Sequence, residues 1–262
     1  MMIRNLSDAV RNIGAAFGDL LWPPVCAACV RALPFNENNG PSAHYCPECL
    51  QTIEPLPEDG CPRCGRPFYL GPSHTCGDCL INPPPWNTAT AAVIYGGAAA
   101  RSIALLKYGG KLNQLAPLIS MTRANTGQQF RISEGREREH DFIIPMPISE
   151  ARLKERTFNQ AAELARALYG FDNPLINEKI LTRCSDGKAH QAGLTKKERA
   201  KAVKGCFSVP HPEPLTGAAV LLFDDVLTTG ATAGEAATTL LNAGARRVDV
   251  VTIARTVLAC WR

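Results

Sequence analysis

VLLFDDVLTTGAT, residues 220–232, is the stretch whose reading decides the fold of this 262-residue chain. Its four leading apolar residues, Val220 to Phe223, read as a strand covered on both faces, because a half-exposed strand would alternate instead. Asp224 and Asp225 follow at the carboxyl end of that strand, where open α/β sheets hold their ligands. Residues 227–232 are small, hydroxylic and glycine-containing, so backbone amides and hydroxyls can approach an anion closely. Thr232 and Glu235 match a T-x-x-E capping box, so a helix is expected to start beside the loop and turn its positive end toward it.

An acid pair followed by an anion loop is the order a ribose phosphate needs: carboxylates accept from vicinal hydroxyls, and the loop takes the 5′-phosphate. The bland alternative is a strand-turn-helix corner with a solvated acid pair. The segment closely resembles the 5-phosphoribosyl 1-diphosphate (PRPP) signature of type I phosphoribosyltransferases, which displace pyrophosphate at the anomeric carbon through an oxocarbenium-like state. The resemblance implies that Asp224 and Asp225 hold the ribose and act in catalysis. It places the 5′-phosphate on Thr228, Thr229, Gly230, Ala231 and Thr232, with Val226 and Leu227 completing the PRPP-binding run. Mg²⁺ is expected to accompany PRPP.

With 45% apolar and 20% charged residues the chain is long enough for one α/β domain and something smaller. No run of 18 apolar residues occurs, so no membrane-spanning helix is expected. Asp8, Arg11 and Asp19 interrupt any signal-peptide apolar core, and a cytoplasmic location is expected. Residues 1–85 carry 5 basic and 8 acidic side chains, whereas residues 86–262 carry 23 and 16. The half with the anion loop is therefore the basic half, which suits a polyanionic ligand.

Ile3, Leu6, Val10, Ile13, Phe17, Leu20 and Leu21 form one apolar stripe, so residues 1–22 read as an amphipathic helix docked on the protein body. Four C-x-x-C knuckles follow: Cys26 with Cys29, Cys46 with Cys49, Cys61 with Cys64, and Cys76 with Cys79. Two knuckles complete a closed tetrahedral thiolate shell, so residues 23–82 read as a double zinc ribbon with two structural Zn sites. Pairing the first knuckle with the second and the third with the fourth closes the shorter loops. His44 and His74 precede cysteines, but four thiolates per site suffice, which leaves surface or supporting roles for them. Few apolar residues occupy 26–80, so the metal must supply stability there, ~10 kcal/mol or more in finger peptides. The segment is acidic, and a docking or scaffold role fits it better than phosphate binding.

Prolines 83–85 mark a boundary, after which residues 86–262 read as the phosphoribosyltransferase-like domain. Strands are expected over 88–95, 141–148 and 247–254, and helices over 98–108, 112–129 and 158–168. Another helix is expected over 235–243. Lys107, near a helix end, reads either as a dipole-pairing lysine or as a ligand residue. Arg152, Lys154 and Arg156 read as a loop after the second strand that suits pyrophosphate, the alternative being an exposed basic turn. Residues 183–204 hold seven basic and two acidic side chains without an aromatic, which fits a lid over the substrate better than a stacking platform for single strands. His190 reads as a surface histidine, and Cys184, Cys206 and Cys260 as small core residues.

The knuckles, K-Y-G-G at 107–110, I-P-M-P-I at 144–148, R-T-F-N-Q at 156–160, Gln191 and Leu194 before a basic helix, and the D-D-V-L-T-T-G-A-T run follow one order. The chain resembles the ComF/GntX family, a double zinc ribbon fused to a type I phosphoribosyltransferase domain, over residues 20–256. That resemblance implies an α/β fold with a twisted parallel sheet and flanking helices behind the small ribbon. It implies Lys107, Arg152, Arg156, Phe158, Asn159, Gln160, Gln191, Leu194 and Arg199 as pyrophosphate-side or lid residues. It also implies an unidentified acceptor, a link to DNA uptake during competence, and a DNA-uptake protein or single-stranded DNA as partner. Thr157 stands where the family usually has glycine, and Ala202 where asparagine is common.

Overall fold

The computed structural model describes residues 23–34, 40–126, 139–184 and 203–257. The expected helix over residues 1–22, most of the charged 133–140 segment, which the sequence marks as a solvated loop, and His190, Gln191, Leu194, Arg199, Ala202 and Cys260 lie outside them.

Six strands are described: β1 (Ala89–Ile94), β2 (Phe142–Pro145), β3 (Thr182–Arg183), β4 (Phe207–Ser208), β5 (Ala219–Leu227) and β6 (Arg247–Arg255). Four of them form a parallel sheet in the order β1-β6-β5-β2, and β3 pairs antiparallel with β4. Residues 219–223 of β5 and 248–255 of β6 are all buried, as central parallel strands require. Val220, Leu222, Phe223 and Ile253 are wholly excluded from solvent, each contributing roughly 1.5–3 kcal/mol.

The helices are α1 (Pro47–Leu50), α2 (Gly77–Ile81), α3 (Gly97–Gly109), α4 (Leu115–Ala124), α5 (Glu150–Arg156), α6 (Gln160–Tyr169) and α7 (Ala231–Asn242). Helix α6 packs on β2 and β5, α7 on β5 and β6, and α4 touches β1, α3 and α6. The mixed α/β architecture with a parallel sheet, flanking helices and an amino-terminal pair of four-cysteine clusters is therefore as the sequence indicates.

The ribbons are not a separate bead. Residues 54–56, between the two metal sites, run antiparallel along the outer edge of β1, with Leu56 N donating to Ala92 O and Ile94 N to Glu54 O. That pairing covers an edge strand which would otherwise present unpaired backbone groups. The first ribbon also joins the main core through Tyr45, whose hydroxyl lies 3.0 Å from the buried Ser102 of α3.

Several local expectations are corrected. β5 runs through the acids to Leu227, so the pair lies within the strand, at its sixth and seventh positions of nine. Helix α7 starts at Ala231, capped by Gly230 at φ 78, so Thr232 lies inside the helix and no capping box forms. Glu235 instead accepts from Gly205 N at 2.6 Å. The basic residues 152–156 belong to helix α5, not a loop, because Ser149 Oγ accepts from Arg152 N and caps it. β2 is shorter than expected, and Pro147 beyond it has no N–H to continue a ladder. A 3-10 turn at Leu112–Gln114 precedes α4, which puts Pro117 in the first turn where its missing donor is harmless.

At the opposite end of the sheet, the buried carboxylate of Asp249 accepts from Thr88 N and Oγ1, Arg247 Nε, and His140 Nε2, which stands 2.8 Å away. Burial works against its charge, but these donors hold its pKa down at about 2.

Candidate functional site

Each half of the ribbon gathers four thiols: Cys26, Cys29, Cys46 and Cys49 in one set, and Cys61, Cys64, Cys76 and Cys79 in the other. In each set the sulfurs all lie within 4.8 Å of one another. The Sγ–Sγ distances of 3.7 Å for Cys29–Cys46 and 3.8 Å for Cys64–Cys76 match the ~3.8 Å edge of a tetrahedron with bonds of about 2.3 Å, the Zn–S length. Cys46 N donates to Cys26 Sγ at 3.4 Å and Cys76 N to Cys61 Sγ at 3.3 Å. Burial pushes these two thiols up, but backbone donors outweigh it and bring Cys26 to about 6 and Cys61 to about 7. The sites are therefore zinc sites, and the knuckle pairing is the local one. His74 stacks on Phe68 at 4.2 Å and stands apart from the thiols. Cys206 is buried as expected, but Cys184 is exposed, with its sulfur 3.2 Å from Ser208 Oγ.

The second feature is a cleft of about 310 Å³ at the carboxyl ends of β1, β2 and β5. Asp224 and Asp225 lie on its β5 side, and Val226, Thr228, Thr229, Ala231 and Thr232 continue the same wall. Lys107, Arg152, Arg156 and Gln160 also line it. Lys107 Nζ sits 2.7 Å from Asp225 Oδ2, and the Asp225 side chain is only 3% exposed. Burial works against the lysine's charge, but Asp225 and then Asp224 outweigh it and hold its pKa above the ordinary value. Burial and the Asp225 charge push Asp224 up to about 8, with Lys107 pulling the other way. Asp224 Oδ1 accepts from Asp225 N at 2.9 Å, which fixes its rotamer.

Arg156 is buried, donates from Nη1 to Gln160 Oε1 at 3.0 Å, and sits over the Tyr108 ring with its guanidinium carbon 5.2 Å from the centroid. Asn159 does not line the cleft. It caps α6 by accepting from Ala161 N and donates to Met146 O, so it shapes the strand-end loop from behind. Leu227 is buried in the core, and Gly230 faces Trp86. Phe158 packs against the core, and Lys154 is exposed outside the cleft.

Sequence reasoning missed Tyr95 as a lining residue, whereas Arg183 and Val203, which also line the cleft, fall at the two ends of the 183–204 segment read as a lid. Tyr95 follows β1 at the same carboxyl edge as the acids, which is a position rule and not a motif. Arg183 lies in the short β3 with its guanidinium over Phe207, and nothing local distinguishes it from the other cations nearby.

A parallel α/β domain with a charged cleft at its strand ends, preceded by two four-cysteine zinc sites, defines a zinc-ribbon α/β protein. The model of the double zinc ribbon domain family matches residues 17–80. The chain is 30% identical to DNA utilization protein YhgH of Salmonella typhimurium, over 75% of this chain and 84% of that one. It is 29% identical to the protein of the same name from Escherichia coli O157:H7, over 91% and 100%, and 27% identical to competence protein ComFC of Bacillus subtilis, over 78% and 80%. The chain belongs to the ComF family. Among the described residues no helix is long and apolar enough to cross a membrane.

Proposed function

We propose that the cleft binds PRPP with Mg²⁺ and transfers its phosphoribosyl group to a nitrogen acceptor, in the service of DNA uptake or utilisation. The observation that carries this reading is the convergence of Asp224 and Asp225, the 228–232 loop at the start of α7, and Lys107, Arg152 and Arg156 on one cleft. The 5′-phosphate would take the loop hydroxyls and the amides at the positive end of α7. Asp224 and Asp225 would accept from the ribose hydroxyls. Arg152 and Arg156 would hold the diphosphate, whose charge grows as the bond from C1 to its oxygen breaks. The acceptor nitrogen donates its electron pair to C1 and loses its proton to solvent, and pyrophosphate leaves.

Mg²⁺ fits this donor set, because hard carboxylate and diphosphate oxygens are its preferred ligands and Asp224 is partly open to the cleft. When bound, the ion neutralises diphosphate charge. Positioning and electrostatics would carry most of the rate. The DNA role is carried over from the relatives named for DNA utilization and competence.

A second reading keeps PRPP binding without turnover, as a sensor that regulates a DNA-uptake protein or a complex on single-stranded DNA. What favours it is that Asp225 is held by Lys107 and both acids serve the ribose, so neither is left to take a proton from an acceptor and turnover would depend on solvent alone. Pyrophosphate release across a panel of nucleobases separates the two. Release with one base supports transfer, whereas saturable binding with no release from any of them leaves the sensor.

A further inference from the structure

Trp86, the residue after the proline run, is 5% exposed and lies between the second zinc ribbon and the anion loop. On one side its ring covers Gly230: a Cβ there would come within 2.7 Å of Trp86 Cη2. The same ring lies 3.7 Å from the position a Cβ on Gly234, in the first turn of α7, would take. Gly230 stands at φ 78, so both its conformation and the indole exclude a side chain. On the other side the indole Nε1 donates to Arg63 O at 2.6 Å, and Arg63 sits between the thiols of Cys61 and Cys64. Arg63 Nη2 donates in turn to Pro84 O, and Ala89 N, at the start of β1, donates to Pro62 O.

The backbone of a C-x-x-C knuckle is set by the need for both thiolates to reach one ion. Arg63 O is part of that backbone, and Trp86 is its rigid link to the loop. We propose that Trp86 is a positioning residue for the anion loop, and that it couples metal occupancy of the second ribbon to ligand binding in the cleft. The first ribbon has no such link in the described structure: it docks on the amino-terminal half of α3 through Tyr45 to Ser102 and Thr52 to Ala98. The inference rests on the proposed PRPP site and extends it. Linkage is reciprocal, so a bound ligand must protect the second metal site if that metal supports the loop.

The test challenges the zinc-loaded full chain with a chelator and an alkylating agent, with and without Mg²⁺–PRPP, and reads each cysteine's modification rate by peptide mass. PRPP is expected to slow modification of Cys61, Cys64, Cys76 and Cys79 by about fivefold and to leave Cys26, Cys29, Cys46 and Cys49 unchanged. Equal slowing of both sets, or of neither while titration heat shows PRPP bound, overturns the coupling. Absence of any PRPP heat removes the proposed function itself, which is a different signature. W86F keeps an aromatic ring but lacks the indole donor; it is expected to abolish the selective protection and weaken PRPP by a similar factor. Protection that persists in folded W86F also overturns the proposal, and the wild-type comparison stands should that variant fail to fold.

Discussion

Lys107 Nζ meets Asp225 Oδ2 at 2.7 Å, tying the last turn of α3 to the carboxyl end of β5. The partner carboxylate is 3% exposed, so removing the ammonium leaves a buried charge without a counter-ion. K107A is therefore expected to lose about 3 kcal/mol in urea unfolding. The double variant K107M/D225N should recover most of that loss, because neither partner is then left charged, while Mg²⁺–PRPP binding, which uses the Asp225 carboxylate, is weakened. A single variant as stable as the parent would show that the pair contributes little.

Asp224 should make the unliganded protein less stable as pH rises. Its folded pKa of about 8 exceeds the ordinary carboxylate value of 3.8, so between those limits the folded state holds a proton that the unfolded chain has lost. Stability from this group is present in acid and falls away on approaching pH 8. D224N removes the penalty, and the expected gain at pH 8 is on the order of 1 kcal/mol, or roughly 2–4 °C in Tm, shrinking toward pH 4. A variant whose Tm tracks the parent at every pH contradicts that picture. Binding of Mg²⁺–PRPP to the parent below pH 8 should release a proton, read as a titration heat that varies with the buffer's ionisation enthalpy.

Thr157 ends α5 in the left-handed region at φ 67, a conformation that crowds a β-branched side chain. Glycine, the residue the family resemblance leads one to expect here, would adopt this conformation without that crowding. T157G is expected to relieve roughly 1 kcal/mol of strain, partly offset by the greater freedom of glycine in the unfolded chain. Denaturant midpoints that fall, instead of staying level or rising, would show that the threonine hydroxyl's contact with Arg156 O matters more.

The zinc centres were fully legible, because a C-x-x-C spacing states both the ligands and their local geometry. β5 was legible because the unbroken apolar run Val220–Phe223 admits few alternatives, and β6 because Val248, Val250, Val251 and Ile253 crowd β-branched residues into one short segment. The acids and the loop residues were legible as a motif, and the cleft gathers most of them. What the sequence hid was set at a distance. The cap of α7 depends on Gly230 against Trp86, 144 positions apart in the chain, and no local pattern records that contact. Asn159 reads as a ligand within R-T-F-N-Q, yet its side chain is spent on Ala161 N and Met146 O. Tyr95 joins the site only because the strand order places the end of β1 at the same edge as the acids, and Arg183 because the separate β3–β4 pair lies beside the cleft.

The central claim is that this cleft receives a ribose with a terminal phosphate and a diphosphate. Isothermal titration of the zinc-loaded chain with PRPP, in the presence and absence of Mg²⁺, tests it most directly. A saturable, Mg²⁺-dependent heat with one ligand per chain, lost in D224N and sharply reduced when Arg156 is replaced by Met, is the expected result. No heat at millimolar PRPP from folded, zinc-replete protein would contradict the account.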